Sequence, residues 1–368
     1  MNRSFLIKPA SSACNLACDY CFYRDEAEHR DVPCHPMMDG MVVDALLEKS
    51  LSDSDAVAYA FQGGEPTLVG LPWFERFVAS VEQKNTRHIP VSYALQTNGT
   101  LLDDAWGDFF ATNHFLVGVS LDGFPRLHNL HRRTQNGERS ADATMKGVDI
   151  LRRHHVPFNV LTVVTRDVAN NLDRIWEFYR TEGFLYQQYI PCIDPIGEED
   201  TYLDADAYGE FLVNLGRKWI TSFSTGQPVS IRLFDNFMAM LCGFPVEECD
   251  MRGVCSVQYV IEGGGAAYPC DFYSTDPWYL GSITTTSLAA IDAQRDELSF
   301  ITASKNTSES CITCRYRNLC RGGCKRFRGK DGTFRFCKSY QRLFDELLPD
   351  METLASRLMK QQGKSQDA

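Results

Sequence analysis

A parallel α/β architecture, built as an open or partial barrel, is the fold class this sequence predicts, and three observations carry it. Six apolar, β-rich segments recur in the first 190 residues: Phe5–Pro9, Ala56–Phe61, Val91–Leu95, Phe115–Leu121, Phe158–Val164 and Leu185–Ile190. Helical segments lie between them, so successive strands need crossover connections and run parallel. Polar or glycine-containing turns end several of these strands, as in PASSACN, QGGEP, QTNGT and SLDG. In parallel β/α folds the chemistry sits at that C-terminal edge of the strands.

The elements follow in order. After the sixth strand comes an acidic loop, Gly197–Asp206, then a helix expected over Ala207–Phe223, and STGQPVSIR marks a seam near residues 224–232. Beyond residue 236 the character changes, since eight of the fourteen cysteines lie from Cys249 onward among turns and short elements. Few long apolar periods exist there, so that region has the look of a small domain organised around inorganic clusters. Two domains are therefore expected, 1–235 and 236–368. Ser339–Lys360 has the pattern of an amphipathic helix, and QQGKSQDA that of a frayed tail.

Composition narrows the function classes. A chain of 368 residues that is 44% hydrophobic can bury a substantial core. The net charge of −11 is spread along the chain with no long basic run, which speaks against nucleic-acid binding. No signal-peptide run opens the sequence, and no stretch approaches the roughly 18 apolar residues of a membrane span. A cytoplasmic location is expected. Fourteen cysteines in that reducing compartment point to metal ligation or catalysis rather than disulfides.

The sharpest local signal is CNLACDYCF, where Cys14, Cys18 and Cys21 are spaced C-x3-C-x2-C just past the first strand. Three thiolates can hold three irons of a cubane 4Fe–4S cluster and leave the fourth open, whereas a three-ligand zinc site is the simpler alternative. Tyr20 before Cys21 and the position after strand one favour the cluster. In FQGGEP two glycines let the backbone approach a ligand closely, and Glu65 can accept from an ammonium group. Cys249, Cys255 and Cys270, then Cys311, Cys314, Cys320, Cys324 and Cys337, supply eight further thiols, enough for two four-thiolate sites. Two zinc ribbons need the same number, and spacing alone does not separate the readings. Cys34, Cys192 and Cys242 are left as ordinary buried or half-buried thiols. Asp271, directly after Cys270 in YPCDFY, could take a proton or could cap a backbone amide.

The motif C-x3-C-x-aromatic-C resembles the signature of the radical S-adenosylmethionine superfamily, and GGEP resembles that superfamily's methionine-contacting turn. The order of the later cysteines resembles the SPASM domain of radical enzymes that modify peptides. Taken together, SFLIKPASSACNLACDYCFY, AFQGGEPTL, LQTNGTL, FLVGVSLDG and YPCDFY resemble the anaerobic sulfatase-maturating enzymes over about Phe5–Tyr340. That resemblance implies a partial (β/α)6 barrel followed by a SPASM domain. It implies S-adenosylmethionine contacts at Tyr20, Gly64, Ser120, Arg132 and Ile193, and three 4Fe–4S clusters. Their ligands would be Cys14, Cys18 and Cys21; Cys249, Cys255, Cys270 and Cys324; and Cys311, Cys314, Cys320 and Cys337. The implied reaction oxidises a Cys or Ser of a sulfatase polypeptide, in a Cys/Ser-x-Pro-x-Arg type motif, to Cα-formylglycine. Asp271 would be the base, an auxiliary cluster the electron acceptor, and flavodoxin or ferredoxin the reduced donor. Tyr23 and Gln62 are expected near the substrate. The alternative is a SPASM maturase that crosslinks a ribosomally made peptide; a zinc-ribbon adaptor is the non-enzymatic rival.

Overall fold

The computed structural model describes residues 1–366, with side chains through Lys360. Ten strands follow in chain order: β1 (Asn2–Lys8), β2 (Ala56–Phe61), β3 (Val91–Thr97), β4 (Leu116–Ser120), β5 (Phe158–Val164), β6 (Tyr186–Pro191), β7 (Ser230–Ile231), β8 (Tyr259–Glu262), β9 (Ala266–Tyr268) and β10 (Gly281–Ser282). The first six coincide with the six expected segments to within three residues at each end. The chain divides into two compact units: Met1–Leu121, Pro125–Asn159 and Val257–Phe300 form unit 1, and Asp122–Phe124, Val160–Ser256 and Ile301–Ala368 form unit 2.

In unit 1 the strand order is β10-β9-β8-β1-β2-β3-β4, with β1 to β4 parallel in sequence order. Burial alternates along β2, where Val57, Tyr59 and Phe61 are sealed on one face. Phe61 stacks near Phe115 and meets the edges of Phe74 and Phe77 from the helix Leu71–Lys84. Each such aromatic, fully buried, contributes about 1.5–3 kcal/mol. Asp39 and Asp103 cap the helices Gly40–Ser52 and Asp104–Thr112 by accepting from Val42 and Trp106 amides.

β8 was not foreseen, and it positions the site. It pairs parallel to β1, with Phe5 opposite Tyr259 and Lys8 opposite Glu262. Segment 257–300 therefore packs with unit 1, and contacts divide the chain differently from the compositional boundary at 235/236. Composition registers where cysteines begin; contacts register which sheet a strand joins.

Unit 2 contains β5 from Val160 onward and the strands β6 and β7, paired in parallel. Its core lies where the helices Ala205–Ser224 and Cys337–Gln366 pack together around Trp219, Tyr208 and Tyr340. A Cβ on Gly216 would sit 2.5 Å from Leu347 Cδ1, so a side chain there would make Leu347 shift. The C-terminal helix is longer than expected and covers most of the QQGKSQDA segment, to Gln366; Asp367 and Ala368 lie outside the described residues. Among the described residues, no helix is long and apolar enough to cross a membrane.

Candidate active site

The three-cysteine loop begins immediately after β1 and is clamped from both sides. Gly64 N donates to Ser11 O and Glu65 N to Ala13 O, both at 2.8 Å, which fastens the GGEP turn to the loop. A Cβ on Gly64 would lie 2.0 Å from Ala13 O, so this contact alone demands glycine there. On the other side Ala17 N donates to Arg133 O at 2.7 Å, and Gln135 Nε2 donates to the carbonyls of Cys14 and Leu16. Leu16 N donates to Cys14 Sγ at 3.3 Å. Burial pushes the Cys14 thiol up to about 12 and raises Cys21 as well; a metal that ligates thiolates removes that penalty.

Glu65 departs from its expected role. Its Oε1 accepts from Thr67 N, Thr67 Oγ1 and Thr97 Oγ1, and its Oε2 from Asn98 N, all within 3.0 Å. The carboxylate is buried and raised by desolvation, and it ties GGEP to the QTNGT turn. Oε1 is a brace between the two turns, and Oε2 carries one donor, the Asn98 amide.

Four of the residues expected to hold S-adenosylmethionine lie in unit 1. The Arg132 guanidinium is buried and stands 5.4 Å from the centre of the Tyr20 ring. Ser120, ending β4, accepts from Gln96 Nε2 at 3.0 Å. Gly64 belongs to the clamped turn. Ile193 is buried in unit 2, immediately after β6.

A second constellation surrounds Asp271, which is 7% exposed. Tyr23 Oη donates to Asp271 Oδ2 at 2.6 Å, Gln62 Nε2 donates to the same oxygen at 3.2 Å, and Gln62 Nε2 also donates to Tyr23 Oη at 2.5 Å. Lys8 Nζ faces Asp271 Oδ1 at 3.1 Å. The carboxylate is thus held by side chains, and the two residues expected near the substrate are its immediate partners.

Lys8, Glu262 and Arg30 were missed in the sequence. Lys8 Nζ also reaches Glu262 Oε1 at 3.5 Å and donates to Ser274 Oγ at 3.0 Å, while Arg30 Nη1 pairs with Glu262 at 2.8 Å. Burial opposes the Lys8 charge, but Asp271, Glu262 and Glu26 outweigh it and hold its ammonium above the usual lysine range. Glu262 is likewise disfavoured by burial, yet Lys8 and Arg30 keep it below the usual carboxylate range. Desolvation, then the Asp271 charge, raises Tyr23 far above an ordinary phenol. The available signal was a charged residue closing an apolar strand, in FLIK and in YVIE.

The remaining cysteines fall into recognisable groups. In unit 2, Cys311, Cys314, Cys320 and Cys337 line one pocket, each half-buried. Burial pushes Cys320 up to about 12, and Cys337, Cys311 and Cys314 lie near enough to add to it. Cys324 is likewise pushed up to about 12 by burial, with Cys249 and Cys255 among its electrostatic neighbours. Cys270 belongs to unit 1, beside Asp271. Among the described residues no three His, Cys, Asp or Glu side chains close tightly enough to hold a single ion. Cys192 is buried and Cys242 half-buried as expected, whereas Cys34 is exposed: it sits on a surface loop, which sequence-local hydrophobicity does not reveal.

Residues 9–179 match the model of the radical SAM superfamily. The chain is 37% identical to a cysteine-type anaerobic sulfatase-maturating enzyme of Clostridium novyi over 98% of this chain and 99% of that one. The chain belongs to the anaerobic sulfatase-maturating enzymes. A serine-type member from Klebsiella aerogenes is 30% identical over 96% of this chain and 87% of its own length. The solved structure of native anSMEcpe with bound AdoMet and Cp18Cys peptide superposes with a TM-score of 0.92 at 34% identity, covering 97% of this chain and all of that one. The α/β fold expected from the sequence is therefore that of this family, and the protein is an oxidoreductase-type radical enzyme.

Proposed function

We propose that this sulfatase-maturating enzyme oxidises a cysteine of a sulfatase polypeptide, within a Cys-x-Pro-x-Arg type motif, to Cα-formylglycine. Three cysteine-type relatives at 35–37% identity, against serine-type relatives at 28–30%, support cysteine over serine as the target. The observation that carries the chemistry is the Asp271 carboxylate, gripped by Lys8, Tyr23 and Gln62 directly after Cys270.

The residues present fit the cofactors the family uses. Cys14, Cys18 and Cys21 offer three thiols on one loop, which suits a 4Fe–4S cluster with an open iron. Tyr20, Gly64, Ser120, Arg132 and Ile193 would hold S-adenosylmethionine, with the Arg132 guanidinium suited to a carboxylate. Cys311, Cys314, Cys320 and Cys337 offer a complete four-thiol set around one pocket, and the family resemblance assigns a second set to Cys249, Cys255, Cys270 and Cys324. When bound, these groups would supply hydrogen-atom abstraction at the target Cβ and an acceptor for the electron that follows.

The chain's own part is the proton. Lys8 occupies Oδ1 of Asp271 and leaves Oδ2 facing Tyr23 and Gln62, where an incoming thiol can compete for the longer Gln62 contact. Asp271 Oδ2 then takes the thiol proton as the C–S bond gains double-bond character, a general-base role. Water converts the thioaldehyde to the aldehyde and releases hydrogen sulfide. Lys8 lies close to both Asp271 and Glu262, so its charge keeps a carboxylate partner when Asp271 is neutralised. The reading needs a reducing cytoplasm, where thiols persist, and a reduced donor such as flavodoxin or ferredoxin.

The test is anaerobic reconstitution with S-adenosylmethionine, reductant and two peptides carrying Cys-x-Pro-x-Arg or Ser-x-Pro-x-Arg, read by mass spectrometry. Aldehyde on the cysteine peptide is expected. Deoxyadenosine with no aldehyde on either peptide would overturn the reading in favour of a maturase that crosslinks another peptide.

A further inference from the structure

QTNGT, the turn after β3, has no role of its own in the chemistry proposed above. Its Asn98 is buried, 6% exposed, and each of its polar groups has a partner. The backbone N–H donates to Glu65 Oε2 at 2.7 Å, and the backbone carbonyl accepts from Thr144 Oγ1 at 2.9 Å. The side-chain Oδ1 accepts from Thr100 N at 2.9 Å and from Thr100 Oγ1 at 2.7 Å. With two donors on Oδ1, the oxygen end of the carboxamide is fixed, and the NH2 end points the other way.

That direction is the three-cysteine loop. Asn98 Nδ2 donates to Asn15 Oδ1 at 2.8 Å and, over a longer 3.9 Å, to Cys14 Sγ. Asn15 Nδ2 in turn donates to Thr100 Oγ1 at 2.8 Å, so Asn98, Asn15 and Thr100 close a ring of side chains beside that sulfur. Asn15 Oδ1 itself lies 4.0 Å from Cys14 Sγ, and Leu16 N donates to the sulfur at 3.3 Å. Burial, and after it the Glu65 carboxylate, makes Cys14 harder to ionise, whereas the Leu16 amide makes it easier. An asparagine that only shaped its own turn would need Thr100 N and nothing beyond it. Asn98 instead spends its NH2 group on the ligand loop.

We propose that Asn98 is a positioning residue that acts through Cys14: its carboxamide, held by Thr100 and Asn15, directs an N–H at the Cys14 sulfur and raises the reduction potential of the iron–sulfur site on that loop. The inference rests on reading Cys14, Cys18 and Cys21 as the ligands of that site. Hydrogen bonds to ligand sulfurs favour the reduced, more negative form of a cluster, and residues beyond the ligands tune a site in this way. Glu65, bound to the Asn98 backbone, works in the opposite sense. One turn therefore carries both the group that disfavours negative charge at Cys14 and the group that restores it.

The experiment is a redox titration of the reconstituted full-length enzyme monitored by EPR. It follows the signal component that changes when S-adenosylmethionine is added, which marks the cluster with the open iron. In Asn98→Ala the ratio of reduced to oxidised form at a fixed potential should fall roughly tenfold, about 59 mV for a one-electron couple. Asn15→Ala should shift the same component the opposite way, because the Asn98 NH2 group loses its competing acceptor and keeps only the sulfur. Components that do not respond to S-adenosylmethionine should hold their wild-type potentials in both variants. An unchanged potential in both, or shifts of the same sign, would overturn the proposal and leave Asn98 a turn-forming residue. Where Asn98→Ala fails to fold, the sign of the Asn15→Ala shift decides. A wild-type enzyme with no component that responds to S-adenosylmethionine would instead overturn the reading of the loop as an iron–sulfur site, and that failure is visible before any variant is made.

Discussion

Lys8, Glu262, Arg30 and Asp271 in unit 1 meet as buried ion pairs at 2.8 to 3.5 Å, each cation placed against a carboxylate. Around Cys320 in unit 2, by contrast, the groups gathered are all thiols, and burial, with Cys337, Cys311 and Cys314 adding to it, pushes that thiol up to about 12. One region balances its buried charges with side chains of opposite sign, although Glu262 Oε2 and Arg30 Nε keep no hydrogen-bond partner; the other concentrates groups of one kind that a metal would satisfy together. The surrounding elements differ accordingly. Unit 1 has strands of five to seven residues along β1 to β4, whereas Glu309–Ile312, Arg317–Cys320 and Lys325–Phe327 are single turns. A preorganised acid–base site can precede its cofactor, but a cysteine-rich segment of isolated turns acquires its order with the metal.

The most severe way to break this contrast is Asp271→Asn. Aldehyde formation should fall by about 10²–10⁴-fold, the usual worth of a general base, with deoxyadenosine release nearly intact in the same chromatogram. Equal loss of both would make Asp271 structural. Next comes Lys8→Met, which leaves Asp271 and Glu262 buried beside a neutral side chain. Destabilisation of about 3–5 kcal/mol is expected, measured by denaturant unfolding, with Lys8→Arg retaining most of the stability. A Lys8→Met protein as stable as the wild type would show that water already satisfies these carboxylates.

Iron removal probes the other side of the comparison. After chelation, amide hydrogen exchange should rise across residues 309–327 while β1 to β3 stay protected; uniform exchange across both would contradict the contrast. The smallest effect concerns pH. Glu262 is held below its ordinary value of 4.5, so its stabilisation is present above that value and is lost as pH falls through the folded value. Lys8 is held above 10.5, so its share is present below 10.5 and lost only as pH rises further. Stability from this pair should be flat near neutrality and decline on the acid side, and in Lys8→Met the acid decline should begin at higher pH. A melting temperature in Lys8→Met with the wild-type acid edge would count against the pairing.

Much of the site was legible along the chain because its parts are local. Six strands were recognisable from apolar runs bounded by turns, and Tyr23, Gln62 and Asp271 stood next to conspicuous motifs. The bracing role of Glu65 is not legible along the chain: its neighbours in sequence are glycines and a proline, while its hydrogen-bond donors include Thr97 and Asn98 from the next strand's turn. Cys34 was placed inside because cysteine is usually buried, and the loop that exposes it carries no local mark.

By itself the sequence determined which chemistry the chain can host, since ligand spacing and strand–turn order are properties of residues a few positions apart. Only the tertiary structure decided which charges share a dielectric environment. Lys8 and Ser274 stand 266 positions apart, and they meet because β8 joins the sheet beside β1 in one register. A slip of one residue in that pairing would turn Glu262 to the opposite face of the sheet. Electrostatic partnership depends on distance in space and on burial, and neither is written in the spacing of residues along a chain.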